Sequence, residues 1–174
     1  LQEGGVAACA KHFPGLGAVP KDPHRHLPTV GLDAEAMRRA HLVPFGEAIR
    51  AGVAMVMSSH VCYPNFERAS ADPATFSPWL IRDLLRGELG FQGVVVSDDL
   101  EMGALRQLCP VGEAAVRAVA AGHDALLVCS DPAAQRQVFE ALCLACQTGR
   151  LSMAALERSA GRLEELRRQF TPDS

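Results

Sequence analysis

The chain has 174 residues, and its 17 Lys and Arg against 20 Asp and Glu leave a net charge of −3. That balance gives no electrostatic reason to expect nucleic acid or an anionic membrane as partner, and no run reaches the ~18 apolar residues of a spanning helix. The length suits one hydrophobic core, or part of a larger one.

In chain order, residues 1–5 read as the tail of a helix and residues 6–12 (VAACAKH) as a first strand. Pro14-Gly15 stops that strand. Residues 11–28, KHFPGLGAVPKDPHRHLP, are rich in Gly and Pro yet dense in ionisable groups. Pro23 biases Asp22 toward extended geometry. Residues two apart in an extended segment share a side, so the Asp22 carboxylate can meet the His24 imidazole. A carboxylate that orients a histidine is an acid/base arrangement. The residues alone favour the plainer reading, a solvated polar pair.

Asp33 suits the N-cap of a helix over residues 34–51, with Glu35 in its first turn and Gly52 past its end. Pro44 should interrupt that helix. A second strand, residues 53–58, ends at Ser59-His60, and residues 64–76 read as a polar loop. Ser77-Pro78 starts a helix whose apolar positions Leu80, Ile81, Leu84, Leu85 and Leu89 recur at helical spacing. It stops at Gly90. Gly93 opens the most strand-like run, Val94-Val95-Val96, which ends at Ser97-Asp98-Asp99. A helix over residues 112–121, a strand over 125–129 and a helix over 132–148 follow. Ser152 can cap a last amphipathic helix that reaches Phe170.

Strands that are short, continuous apolar runs and alternate with helices predict a parallel sheet with crossover helices. A doubly wound sheet and a (β/α) barrel both fit. Polar residues follow each strand: Lys11-His12, Ser59-His60, Ser97-Asp98-Asp99 and Ser130-Asp131. Such positions carry the sites of α/β folds. No glycine-rich dinucleotide or Walker motif occurs, so no cofactor is expected. Six His residues show no ligand spacing, so no metal is assigned, and His41 and His123 read as structural. Six Cys residues have no framework spacing. Cys9 and Cys129 fall in strand-like runs, where a reduced Cys behaves as a small hydrophobe. Cys143-Leu-Ala-Cys146 lies in a helical pattern without a second pair. A reducing, cytoplasmic compartment is the expectation.

Three motifs carry a resemblance. KHFPG-x-G followed by D-x-H and LP, then MVMSSHVCYP over residues 55–64, then GFQGVVVSDDLEMGAL over residues 90–105, stand in one order along the chain. Together they resemble glycoside hydrolase family 3, and its bacterial β-N-acetylhexosaminidase branch in particular. Leu16 departs from the His common at that position in the branch. The resemblance implies a barrel, and since four strands are half of one, it implies that residues 1–174 are the C-terminal half of a (β/α)8 catalytic domain, truncated at its N-terminus, with an extra C-terminal helix. It implies a retaining hydrolase of terminal β-linked N-acetylglucosamine, of the kind released in peptidoglycan recycling. Asp98, rather than Asp99, would be the nucleophile. His24 with Asp22 would be the acid/base dyad, with His26 a loop residue. Lys11 and His12 would hold the sugar, His60 would line the pocket floor as a further sugar contact, and Met102 would sit near the nucleophile. The expected partners are a carbohydrate substrate and the missing half of the barrel. The alternatives are a family-3 relative with another sugar or acceptor preference, such as a β-glucosidase or phosphorylase, and a catalytically incomplete fragment.

Overall fold

The computed structural model describes residues 1–17, 27–66 and 72–171. Four parallel strands form one sheet: β1 (Cys9–Phe13), β2 (Met55–Ser58), β3 (Val94–Asp99) and β4 (Ala125–Leu127). Their spatial order is β1-β2-β3-β4. A doubly wound sheet reverses its strand order at a switch point. This one does not, which settles the choice that the sequence pattern leaves open in favour of a barrel-type winding.

The register pairs Ala10 with Val56 and Val56 with Val95. Those residues, together with Leu126 and Val128, belong to the clusters packed under the helices. The other parity, Lys11, Met57 and Val96, looks to the opposite face. Register shifts fall between Lys11 and Phe13 in β1 and between Val96 and Asp99 in β3. Such irregularities bend a strand and re-aim its side chains. Here both lie at the carboxyl ends, where His12 and Asp98 stand.

The helices follow from local chemistry. Asp33 Oδ1 accepts from Ala36 N at 2.8 Å and starts α1 (Ala34–Ala36). A wider-wound turn, Met37–His41, continues it, and the chain restarts after Leu42 as α2 (Val43–Arg50) with Pro44 in its first turn. The expected break is therefore met just before the proline, where its missing N–H and ring would clash with a continuing helix. A wide helix, Trp79–Glu88, buries Leu80, Ile81, Leu84 and Leu85. After β3 come a short α3 (Gly103–Arg106), which the sequence reading lacks, and α4 (Val111–Ala121). Gly122, at φ 119°, ends α4. Asp131 Oδ1 accepts from Ala133 N at 2.8 Å and caps α5 (Pro132–Gln147), and α6 (Met153–Phe170) closes the described chain. No helix among the described residues is long and apolar enough to cross a membrane.

Two expectations are corrected. The described part of the segment read as a polar loop holds a short helical turn, Ala74–Phe76, with all three side chains buried, because it plugs the space between the ends of β2 and α4. Cys9 and Cys129 are exposed. Cys9 opens the edge strand on the side away from the helices, and Cys129 lies past the end of β4, so neither is covered.

Below the sheet, at the amino ends of its strands, Asp124 ties three elements together. Its carboxylate accepts from Val95 N (2.9 Å) and Arg86 through one oxygen, and from Ser159 Oγ (2.7 Å) and Arg162 Nη1 (3.0 Å) through the other. The side chain is 1% exposed. Burial pulls the Arg86 guanidinium downward from its usual range, and the Asp124 charge opposes that shift.

Candidate active site

At the carboxyl ends of β1, β2 and β3 lies a cavity of about 280 Å³, lined among the described residues by His12, Leu16, Ser59, His60, Val61, Asp98 and Met102. A second cavity of about 540 Å³ adjoins it across His12 and Leu16 and is lined by Lys11, Gly15, His41 and Phe45, among others. Barrel enzymes build their sites at this end of the strands.

Each functional side chain is placed by a strand terminus. The two acidic residues that end β3 diverge. Asp98 faces the cavity, with its Oδ2 at 3.5 Å from His12 Nε2 and its Oδ1 accepting from Asp99 N at 2.8 Å. The Asp99 carboxylate instead accepts from Glu101 N at 3.1 Å and closes a turn. The pair therefore divides its labour as the alternation of side chains along a strand dictates. Asp98 and His12 each keep about a quarter of their side-chain surface open, 24% and 23%. Burial lowers the His12 pKa, the Asp98 charge works against that, and Lys11 reinforces it. Lys11 is exposed and reaches the second cavity.

His60 closes β2 at the cavity wall but is 3% exposed, and both ring nitrogens are held by the protein. Nε2 lies 3.0 Å from Asp99 O, and Nδ1 lies 2.7 Å from Thr75 Oγ1. Burial lowers its pKa, and the Asp99 carbonyl opposes the shift. A carbonyl only accepts, so Nε2 carries the proton and Nδ1 accepts from the Thr75 hydroxyl. Ser59 O then keeps the Thr75 N–H, at 3.2 Å.

Behind Thr75, Ser58 Oγ lies 3.3 Å away and 2.7 Å from His123 Nε2, while His123 Nδ1 donates to Ala118 O at 3.0 Å. His123 is fully buried, and burial pushes its pKa down to about 4. Its structural reading fits these contacts. His41, also read as structural, stands against the first loop: a Cβ on Gly15, whose φ is 132°, would meet its Nδ1 at 2.8 Å. Tyr63 Oη donates to Gly15 O (2.9 Å) and lies 3.1 Å from Ser59 Oγ, so it joins that loop to the end of β2.

Thr75, Tyr63 and His41 were missed as neighbours of the site. No spacing signal marks them, since Thr75 lies 15 residues from His60, Tyr63 lies 48 from Gly15, and His41 meets the same Gly15 from a different segment. Ser130-Asp131, a polar pair after a strand, serves as a helix start. The Glu101 carboxylate accepts from Ser130 N (2.6 Å) and Asp131 N (3.1 Å) there. Asp22, His24 and His26 lie outside the described residues.

The arrangement offers one solvent-reachable carboxylate, an imidazole beside it and a cationic amine nearby, around a cavity large enough for a small polar ring. Among the described residues no second carboxylate faces this cavity.

The family model described as Glycosyl hydrolase family 3 N terminal domain matches residues 1–166. A beta-hexosaminidase of Thioalkalivibrio sulfidiphilus is 39% identical over 162 residues, 93% of this chain and 45% of the relative. A beta-hexosaminidase of Chromobacterium violaceum is 37% identical over 176 residues, covering 99% and 48%. The structure of a glycoside hydrolase family 3 beta-N-acetylglucosaminidase from Paenibacillus sp. str. FPU-7 superposes with a TM-score of 0.95 at 46% identity, over 99% of this chain and 33% of that one. The chain spans about half the length of the curated relatives it matches.

Proposed function

This chain belongs to glycosyl hydrolase family 3, and from that premise we propose that it carries the nucleophile and the acid/base dyad of a retaining β-N-acetylhexosaminidase. The observation that carries the reading is Asp98: a carboxylate at the end of β3, facing the cavity, with its acidic neighbour turned away. Retention needs a nucleophile on one face of the anomeric carbon and a proton donor at the leaving oxygen. In this reading Asp98 attacks the anomeric carbon and forms a glycosyl ester as the glycosidic bond breaks. His24, oriented by Asp22, gives its proton to the departing oxygen and then takes one from the water that cleaves the ester. An imidazole near neutral pH can perform both steps. Lys11 and His12 donate to hydroxyls of the terminal sugar.

Relatives named beta-hexosaminidase and a beta-N-acetylglucosaminidase structure support an N-acetylglucosaminide substrate, for which peptidoglycan fragments are the proposed source. The remaining four strands of the barrel and the rest of the sugar site belong, in this proposal, to an N-terminal half joined to these residues. Six cysteines without a disulfide fit a cytoplasmic setting.

The test is peptide mapping by mass spectrometry after the full-length polypeptide meets a 5-fluoro-N-acetylglucosaminyl donor. A covalent adduct on Asp98 is expected. An active enzyme whose adduct maps elsewhere, or that never forms one, would overturn the assignment.

A further inference from the structure

We propose that His60, oriented by Thr75, is a positioning residue for Asp98 and acts through the backbone of Asp99. The proposal rests on the reading of Asp98 as nucleophile, and it gives His60 a different task from the sugar contact expected from sequence.

The geometry is a chain of directed bonds. The Thr75 hydroxyl has one proton and three acceptors in reach: His60 Nδ1 at 2.7 Å, Ser59 O at 2.9 Å and Ser58 Oγ at 3.3 Å. Ser58 spends its own proton on His123 Nε2, because His123 Nδ1 already donates to Ala118 O. Ser59 O also accepts the Thr75 N–H and has a second lone pair open to the hydroxyl. His60 decides between them: Asp99 O only accepts, so the ring proton is on Nε2, and Nδ1, left as an acceptor, takes the Thr75 proton at 2.7 Å.

Asp99 is then held at its carbonyl, its N–H and one carboxylate oxygen. The carbonyl accepts from His60 and from Met102 N (3.1 Å), the N–H donates to Asp98 Oδ1, and the carboxylate accepts from Glu101 N. One oxygen of Asp98 is thereby fixed, and Oδ2 is left facing the cavity and His12. Among the described residues no Lys or Arg clamps Asp98, and this backbone route sets the direction of its free oxygen. A neutral ring that donates only to a carbonyl also adds no charge to compete for the carboxylate. Hydrogen-bonded supports of this kind hold a reacting group within the narrow geometry that attack requires.

Removing the Thr75 hydroxyl leaves His60 Nδ1 without its donor, so that of the ring's two hydrogen bonds only the one to Asp99 O still orients it. In the full-length polypeptide, Thr75→Val is expected to slow formation of the Asp98 adduct and kcat by about 10- to 100-fold, the scale of a small misplacement of a reacting group, with KM within about twofold. Thr75→Ser, which restores the hydroxyl, is expected to recover most of the rate. Melting temperatures of both variants separate positioning from folding.

Wild-type rates in Thr75→Val would overturn the proposal, as would a loss confined to KM, the mark of a sugar contact. So would a Thr75→Ser variant as slow as Thr75→Val whose melting temperature falls with it. Each of these leaves the glycosidase reading standing if the wild type is labelled on Asp98. A wild-type enzyme that is never labelled there removes the premise, and with it this proposal.

Discussion

Asp98 and Asp124 are the same side chain at opposite ends of one sheet. Asp124, below the strands, takes four donors and is closed to solvent. Asp98, above them, takes one backbone donor, meets His12 at 3.5 Å and stays a quarter open. A carboxylate that is fully paired has no capacity left for a ligand. One that is held by a single oxygen keeps the other for chemistry. The division between a stabilising floor and a reactive rim is the general economy of barrel folds, and here two residues display it.

The strongest way to break the contrast is Asp98→Asn in the full-length polypeptide. Removing the proposed nucleophile should cut hydrolysis of nitrophenyl N-acetylglucosaminide on the order of 10³-fold or more, while calorimetry shows a melting temperature that holds or rises. A variant with more than a tenth of wild-type turnover would end the nucleophile assignment. Asp124→Asn should do the reverse. It leaves Arg86 and Arg162 facing each other without their carboxylate, and breaking a buried pair in this way costs about 3–5 kcal/mol. Urea titration would show a lower midpoint, and kcat of the folded fraction should be unchanged.

The buried histidines sharpen the contrast through pH. The His123 pKa falls from 6.5 to about 4 on folding, so between those values the unfolded chain binds more protons than the native one. Stability is then complete above pH 6.5 and is lost as pH falls toward 4, by roughly 3 kcal/mol for this group. His60, lowered by the same cause, adds in the same direction. Denaturation curves between pH 4 and 7 check the slope, and stability flat across that window would refute the buried neutral state. The smallest effect belongs to Tyr63→Phe, which deletes the bond to Gly15 O and should cost about 1 kcal/mol. A melting curve beside a KM measurement would show whether that loss also reaches the proposed sugar site.

Much of this was legible in the chain. Apolar runs gave β2 and β3 because strands covered by helices must be apolar, and Asp33, Pro44 and Ser77 marked helix edges through their backbone chemistry. The choice of Asp98 over Asp99 came from a motif; in the structure Asp98 lines the cavity and Asp99 closes a turn. Other features were hidden because they are agreements between distant segments. Thr75 meets His60 across 15 residues, and Asp124 meets Ser159 across 35, where no periodicity connects them. Ser130-Asp131 shows the converse: a polar pair after a strand looks the same in sequence whether it awaits a ligand or starts a helix.

Glu101 has a practical consequence. Its side chain is 6% exposed, and it leaves the loop of β3 to take the amides of Ser130 and Asp131 that open the following helix. Two neighbouring loops are thus one cassette. A loop graft that aims to change substrate preference by exchanging residues 100–102 alone would strand two amide donors at the start of α5. A graft that carries residues 130–131 with them transfers donor and acceptor together.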